Sequence, residues 1–495
     1  MRLLVLAFAF LTLNACAQPG PEEVPAVRGD VGAALDDYLT NGIEGGFSGA
    51  VVAAVDGEVV LRKGYGMADR EASVLNTPAT VFQIGSVAKP FTATAILALQ
   101  DDGLLSVEDP LSDHFDGVPA DKAGITLHHL LTHTSGFPGH IGGDYEVIDR
   151  KAYVTRALAT PLNRAPGAGY EYSNVGFALL AAIVEQVSGQ SYDAYLQNDV
   201  LGPAGVAHTG YRLSDDLPRA RGYEGGQDLG LPTDRAWADD GPYWNLRGNG
   251  GLLSTADDLY RFHQALESGA ILSDEARALA YTPYTDEGEG SGTHYGYGWA
   301  LFPAPGGGTL VTHNGGDPGF SADVLRFLDD DRVLIVLSND ARVEAFDVSG
   351  PLADILYGET PEPIAAPQRQ PVALDALGET LEGRRALAFV EAINGGTEEG
   401  YRAFIEGHLD SQFREDPDRL VTQFFGAVAD EIGHAPVTLR RAEREGDRLH
   451  LYGVLADGRG YWMMLGFGGD DDNLIAGLMT DYADLTAVEG TASAD

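Results

Sequence analysis

Gly85-Ser86-Val87-Ala88-Lys89-Pro90-Phe91-Thr92-Ala93-Thr94-Ala95-Ile96-Leu97-Ala98-Leu99 decides most of what this chain reveals. The apolar run from Phe91 to Leu99 continues a helix that opens near Ser86. Ser86 and Lys89 stand nearly one helical turn apart, so both side chains share a face, about 5–6 Å apart at Cβ. A lysine that close takes the serine proton if it is neutral, and stabilises the alkoxide if it is charged. At a helix N-terminus, the Ser86 N–H and the helix dipole also point at a developing oxyanion. A capping serine followed by an ordinary surface lysine has the same spelling, so the segment must be read together with others.

Two further motifs follow along the chain. In Tyr172-Ser173-Asn174, a tyrosine hydroxyl is a poor base unless a cation such as Lys89 depresses its pKa. Asn174 offers a donor and acceptors for orienting Lys89 or a substrate amide. In His313-Asn314-Gly315-Gly316, which follows the strand-like Thr309-Leu310-Val311, the glycines let a substrate lie against a strand edge. Taken singly, each has a bland alternative: a buried tyrosine before a helix cap, or a glycine-rich hairpin with an incidental histidine.

Their order is more specific. Ser-x-x-Lys, Tyr-x-Asn and His-x-Gly in succession resemble the penicillin-recognising serine hydrolases, in the branch of class C β-lactamases, serine DD-peptidases and related esterases. Ile125-Thr-Leu-His-His-Leu-Leu-Thr-His-Thr-Ser-Gly136, Gly250-Gly-Leu-Leu-Ser-Thr-Ala-Asp-Asp-Leu259 and Tyr295-Gly-Tyr-Gly-Trp299 are similar to further phrases of that branch. The last of these resembles its strand near the third motif. The resemblance implies Ser86 as the acylated nucleophile, with Lys89 and Tyr172 sharing proton transfer; which of them is the base stays open. It implies Asn174 as an orienting group, His313, Asn314 and Gly315 as substrate-binding positions, and the N–H groups of Ser86 and Gly316 as the oxyanion hole. His313 stands where β-lactamases usually carry Lys, which would make a fixed charge depend on pH. Asn314 stands where Thr is usual. Both departures weigh against efficient β-lactam hydrolysis. The histidines of the phrase at 125–136, with His140, lack metal-ligand spacing, and no metal or other cofactor is expected.

The implied fold is α/β and β-lactamase/transpeptidase-like: an antiparallel sheet flanked by helices plus an all-helical region, followed by a smaller α+β domain. Gly49–Val55 and Glu58–Arg62 read as a hairpin around Asp56-Gly57, and Val333–Leu337 as a late buried strand, so the sheet draws on both ends of residues 29–358. Residues 359–378 are Pro-rich and read as a linker. Residues 379–488 read as helices and then strands, an order that resembles the NTF2-like cone fold.

The N-terminus bears on location. Arg2 precedes an apolar run, Leu3 to Leu13, too short to span a bilayer but suited to a signal peptide over residues 1–15. Leu13-Asn14-Ala15-Cys16 resembles the lipobox of bacterial lipoproteins, making Cys16 the expected lipidation site, with residues 16–28 as a tether. Cys16 is the only cysteine, so no disulfide within the chain is available. Acidic residues outnumber basic ones 74 to 32, for a net charge of −42. A field of that sign repels phosphate and excludes general nucleic-acid binding. The expected partners are a small-molecule or peptide substrate and a membrane reached through the lipid anchor, facing the periplasm or exterior. The oligomeric state is left open. The function expected is acyl-enzyme hydrolysis of peptidoglycan-type peptides, D-amino-acid peptides, small esters or β-lactams. The alternative is a non-catalytic wall-binding or regulatory lipoprotein on the same fold.

Overall fold

The computed structural model describes residues 27–224, 227–288, 291–364, 369–410, 414, 417–433, 435–468 and 474–483. Cys16 and the signal and tether segments lie outside these residues.

The larger unit is built on an eight-stranded antiparallel sheet. Its strands are β1 (Gly49–Val55), β2 (Glu58–Tyr65), β3 (Thr285–Asp286), β4 (His294–Tyr295), β5 (Ala300–Pro303), β6 (Thr309–Asp317), β7 (Phe320–Phe327) and β8 (Arg332–Ser338), arranged β3-β4-β5-β6-β7-β8-β1-β2. The hairpin closes at Asp56-Gly57, both with positive φ, as a tight two-residue turn requires. The β1–β8 pairing runs Gly49↔Ser338 to Val55↔Arg332, which joins the two ends of the unit.

Strand period two explains why these strands are apolar throughout. Ala50, Val52 and Ala54 enter one core with Val333, Ile335 and Leu337; Val51 and Ala53 enter the opposite core with Leu334 and Val336. The second face is covered by α1 (Gly29–Glu44) through Leu35 and Leu39, and by a helix at Ala345–Leu356 through Val348 and Leu352. The first face receives α2 (Ala88–Asp101), α3 (Asn174–Ser188) and a helix at Ala256–Glu267. The phrase at 295–299 is not one strand. Gly296 N–H bonds the Trp299 carbonyl at 2.8 Å, and Gly298 at φ +73° turns the chain between β4 and β5.

The smaller unit has its own core, centred on Phe389, Phe404, Phe425, Leu451, Met463 and Leu465. Helices Leu381–Gly395, Glu398–His408 and Gly426–Ile432 precede four strands at Val437–Glu445, Arg448–Leu455, Gly460–Phe467 and Ile475–Ala483. The stretch expected as a linker is only partly one. Gln370–Val372 pairs with Ala442–Arg444 as a fifth strand, and Leu374–Glu379 is a 3-10 turn. Pro371 is tolerated there because an edge strand need not donate every N–H. Leu420–Phe425 forms a wider π turn that leads into the helix at Gly426–Ile432.

Candidate active site

Ser86 lies on a single 3-10 turn, Gly85–Val87, that runs directly into α2. Pro90 sits in the first turn of α2, where a missing N–H costs no helical bond. Gly85 has φ +49°, and a Cβ there would stand 2.6 Å from Gly316 N. A Cβ on Gly315 would stand 2.5 Å from Ser86 N. The turn and strand β6 therefore meet backbone to backbone, and the Ser86 and Gly316 N–H groups belong to one seam. Side chains at either glycine would force it apart.

Lys89 is fully buried on the first turn of α2. Its Nζ donates to Ser86 Oγ at 2.9 Å and to the Asn249 carbonyl at 2.8 Å. It also lies 4.7 Å from the Tyr172 ring centroid. Burial pushes the Lys89 ammonium well below the usual lysine range, against a weaker opposing pull from Asp144. The neutral amine is thus favoured beside the Ser86 hydroxyl.

Tyr172 and Asn174 flank Ser173, whose side chain caps α3 by accepting from Gly176 N–H. Burial pushes the Tyr172 phenol up; a hydrogen bond with Ser86 opposes the rise. Asn174 is not bonded to Lys89: its Nδ2 faces His140 Nδ1 at 3.4 Å, and its buried Oδ1 has no partner among the described residues. A substrate amide N–H could supply one.

His133, grouped above with the other histidines of its phrase, holds this segment in place. It is buried at φ +56°, its Nδ1 accepts from Ser173 N–H at 3.0 Å, and its ring lies 4.3 Å from that of Tyr172. His128 bonds Tyr297, and His129 caps its own helix. Among the described residues, no group of His, Cys, Asp and Glu is arranged to hold a metal ion.

On β6, side chains alternate. His313 and Gly315 are buried, whereas Asn314 and Gly316 are exposed. His313 Nδ1 lies 2.6 Å from the Asn314 carbonyl, which can only accept, so Nδ1 carries the proton. Nε2 then accepts from Tyr295 O–H at 2.9 Å. Burial lowers the His313 pKa to about 3. This corrects the expectation of a pH-dependent charge: His313 is a neutral, hydrogen-bonded ring across the physiological range.

The far end of β6 is anchored by a network the motifs did not reveal. Asp317 accepts from Gln83 at 2.8 Å, from Tyr145 at 2.8 Å and from Arg235 at 2.8 Å. Beyond it, a cavity of about 690 Å³ lies between Gly316–Gly319 and the smaller unit's Arg369, His450 and Trp462. A second cavity, about 410 Å³, adjoins Tyr172, His313 and Asn314. Asn249, whose carbonyl holds Lys89, immediately precedes the Gly250–Leu259 phrase, and nothing in the residue type marks a backbone acceptor.

This geometry has a known setting. The β-lactamase family profile matches residues 32–359. The chain is 32% identical over 352 residues to penicillin-binding protein 4* of Bacillus subtilis (strain 168), spanning 67% of this chain and 76% of that one. A crystal structure of a penicillin-binding protein from Bacillus halodurans is 27% identical, with a TM-score of 0.56, over 66% of this chain and 98% of its own. The octameric penicillin-binding protein homologue from Pyrococcus abyssi matches in fold over 90% of this chain and 92% of its own, with a TM-score of 0.60 at 24% identity. The chain belongs to the β-lactamase family, whose fold and serine-hydrolase class it shares with penicillin-binding proteins.

Proposed function

We propose that this chain is a serine hydrolase that forms a covalent acyl-enzyme on Ser86 with ester or amide substrates. The observation that carries this reading is a buried, desolvated Lys89 whose Nζ lies 2.9 Å from Ser86 Oγ. Lys89, neutral, takes the Ser86 proton as Oγ attacks the substrate carbonyl carbon. The developing oxyanion is received by the N–H groups of Ser86 and Gly316. Burial keeps the Tyr172 phenol protonated, so Tyr172 acts as the acid that gives its proton to the leaving group, and Lys89 returns a proton to Tyr172. Water then cleaves the acyl-enzyme along the same route in reverse. Asn174 Oδ1, the exposed Asn314 and the strand backbone at the buried Gly315 hold the substrate.

Neutral His313 leaves no fixed cation on β6 for the carboxylate of a β-lactam, which favours esters and amides over β-lactams. Leu13–Cys16 supports a lipid-anchored protein of the bacterial cell envelope, and the helix-then-sheet order of the smaller unit supports an NTF2-like reading. Labelling with a fluorophosphonate and a fluorescent penicillin, read by intact mass with and without Ser86→Ala, tests the mechanism. A single adduct lost in the variant is expected, together with turnover of p-nitrophenyl esters above that of nitrocefin. An adduct that survives in Ser86→Ala overturns it. Mass spectrometry of the mature N-terminus tests lipidation, and an unmodified Cys16 overturns that.

A further inference from the structure

The 410 Å³ cavity beside Tyr172 has an unbalanced lining. Tyr170, Tyr172 and Tyr295 present three phenol rings, with the Tyr170 and Tyr295 centroids 5.8 Å apart. Two carboxylates, Glu287 and Asp323, also line it, and among the described residues no Lys or Arg does. Its one imidazole, His313, has both nitrogens engaged, by Tyr295 and by the Asn314 carbonyl. The two acids differ in what holds them. Asp323 is buried and accepts from Ser349 at 2.5 Å and from Thr312 at 3.3 Å. Glu287 is only half-buried; its Oε1 accepts from Tyr170 O–H at a long 3.3 Å, and burial pushes its carboxyl up against hydrogen bonds from Thr293 and Tyr170.

Aromatic faces attract cations through their quadrupole, and a carboxylate at the rim adds a Coulombic pull. An ammonium group would meet both here. A substrate carboxylate would meet two acids and no cationic donor. Tyr172 belongs both to this cavity and to the Ser86 cluster, so a group in the cavity sits one side chain from the nucleophile.

We propose that this cavity is a cation-accepting subsite, that the preferred substrate carries an ammonium group, primary or quaternary, on the leaving side of the scissile bond, and that Glu287 determines this specificity. The leaving-side assignment rests on the hydrolase reading above, because it is Tyr172 that protonates the leaving group. Substrates whose leaving group ends in a carboxylate, as in D-alanyl peptides, are disfavoured.

Acetyl esters of choline and of 3,3-dimethylbutanol are isosteric and differ by one charge. Wild-type kcat/KM is expected to favour the choline ester at least tenfold. Glu287→Gln brings the ratio below twofold, whereas Glu287→Asp keeps part of it. Equal wild-type rates, or a Glu287→Gln loss shared equally by both esters, overturns the subsite. Calorimetry separates this outcome from failure of the hydrolase reading. Choline, but not 3,3-dimethylbutanol, is expected to bind the wild-type chain and Ser86→Ala, and not Glu287→Gln. Choline binding without cleavage of any ester sinks the hydrolase reading alone; no choline binding sinks the subsite, whatever is hydrolysed.

Discussion

The two units bury polar groups in different ways. The larger one places Lys89, His133 and His313 inside a cluster of aromatic rings, and burial drives all three away from their charged forms. The smaller one packs phenylalanines and aliphatic residues, and its buried His450 lies 3.0 Å from the Glu445 carboxylate, beside the cavity between the units. A desolvated base without a carboxylate partner is expensive to keep. Three such bases stand in one cluster around Ser86, which fits a site of chemistry, whereas among the described residues of the smaller unit His450, also pushed down by burial to about 4, keeps Glu445 beside it.

Removing the nucleophile should break this contrast most sharply. Ser86→Ala is expected to lower ester turnover by roughly a thousandfold or more and to abolish covalent labelling. Residual activity above about one per cent would move the chemistry elsewhere, the smaller unit included.

Lys89→Met comes next. It should cost roughly 10²–10⁴ in kcat, the range for losing a general base. The thermal midpoint should hold or rise, because a flexible apolar chain replaces a desolvated amine. A large drop in midpoint with activity retained would make Lys89 structural.

Acid should distinguish the units more gently. The folded His313 pKa is about 3, below the ordinary 6.5. Between those values the unfolded chain binds more protons than the folded one, so stability is full above about pH 6.5 and falls as pH drops towards 3. The slope is about 1.4 kcal/mol per pH unit for each histidine so held. His133 adds in the same direction. Denaturation of His313→Gln followed from pH 7 to 5 should show a shallower decline than wild type. The His313 ring signals in NMR should stay constant over that range, and a mid-range titration would restore the switchable charge.

The smallest effect is expected from deleting the smaller unit. A chain ending at Ile364 keeps every group within reach of Ser86. Turnover of small esters should stay within about tenfold, equivalent to roughly 1.4 kcal/mol of barrier. A folded but inactive product would show that the wall facing Gly316 completes the site.

Local patterns were legible wherever one element carried its own signal. The Asp56-Gly57 hairpin, the helix after Ser86 and the apolar run at Val333–Leu337 follow from turn chemistry and periodicity, which act over a few residues. The order of Ser86, Lys89, Tyr172, Asn174 and His313 was legible too, through its resemblance to a family. Pairing between distant segments was not: Gln370–Val372 reads as linker because its partner, Ala442–Arg444, lies about 70 residues away. The protonation states were equally hidden. His313 looked like a switch on paper, and the burial, the Asn314 carbonyl and the Tyr295 hydroxyl that keep it neutral come from the folded sheet. Asn249 and Glu287 carry no motif at all, since a backbone carbonyl and a lone acid gain meaning only from what they face. Sequence by itself determined which groups are available and in what order, because residue type and spacing are local. Tertiary structure alone decided which of them are dry, which are paired and which share a cavity, because desolvation and contact depend on neighbours from the whole chain.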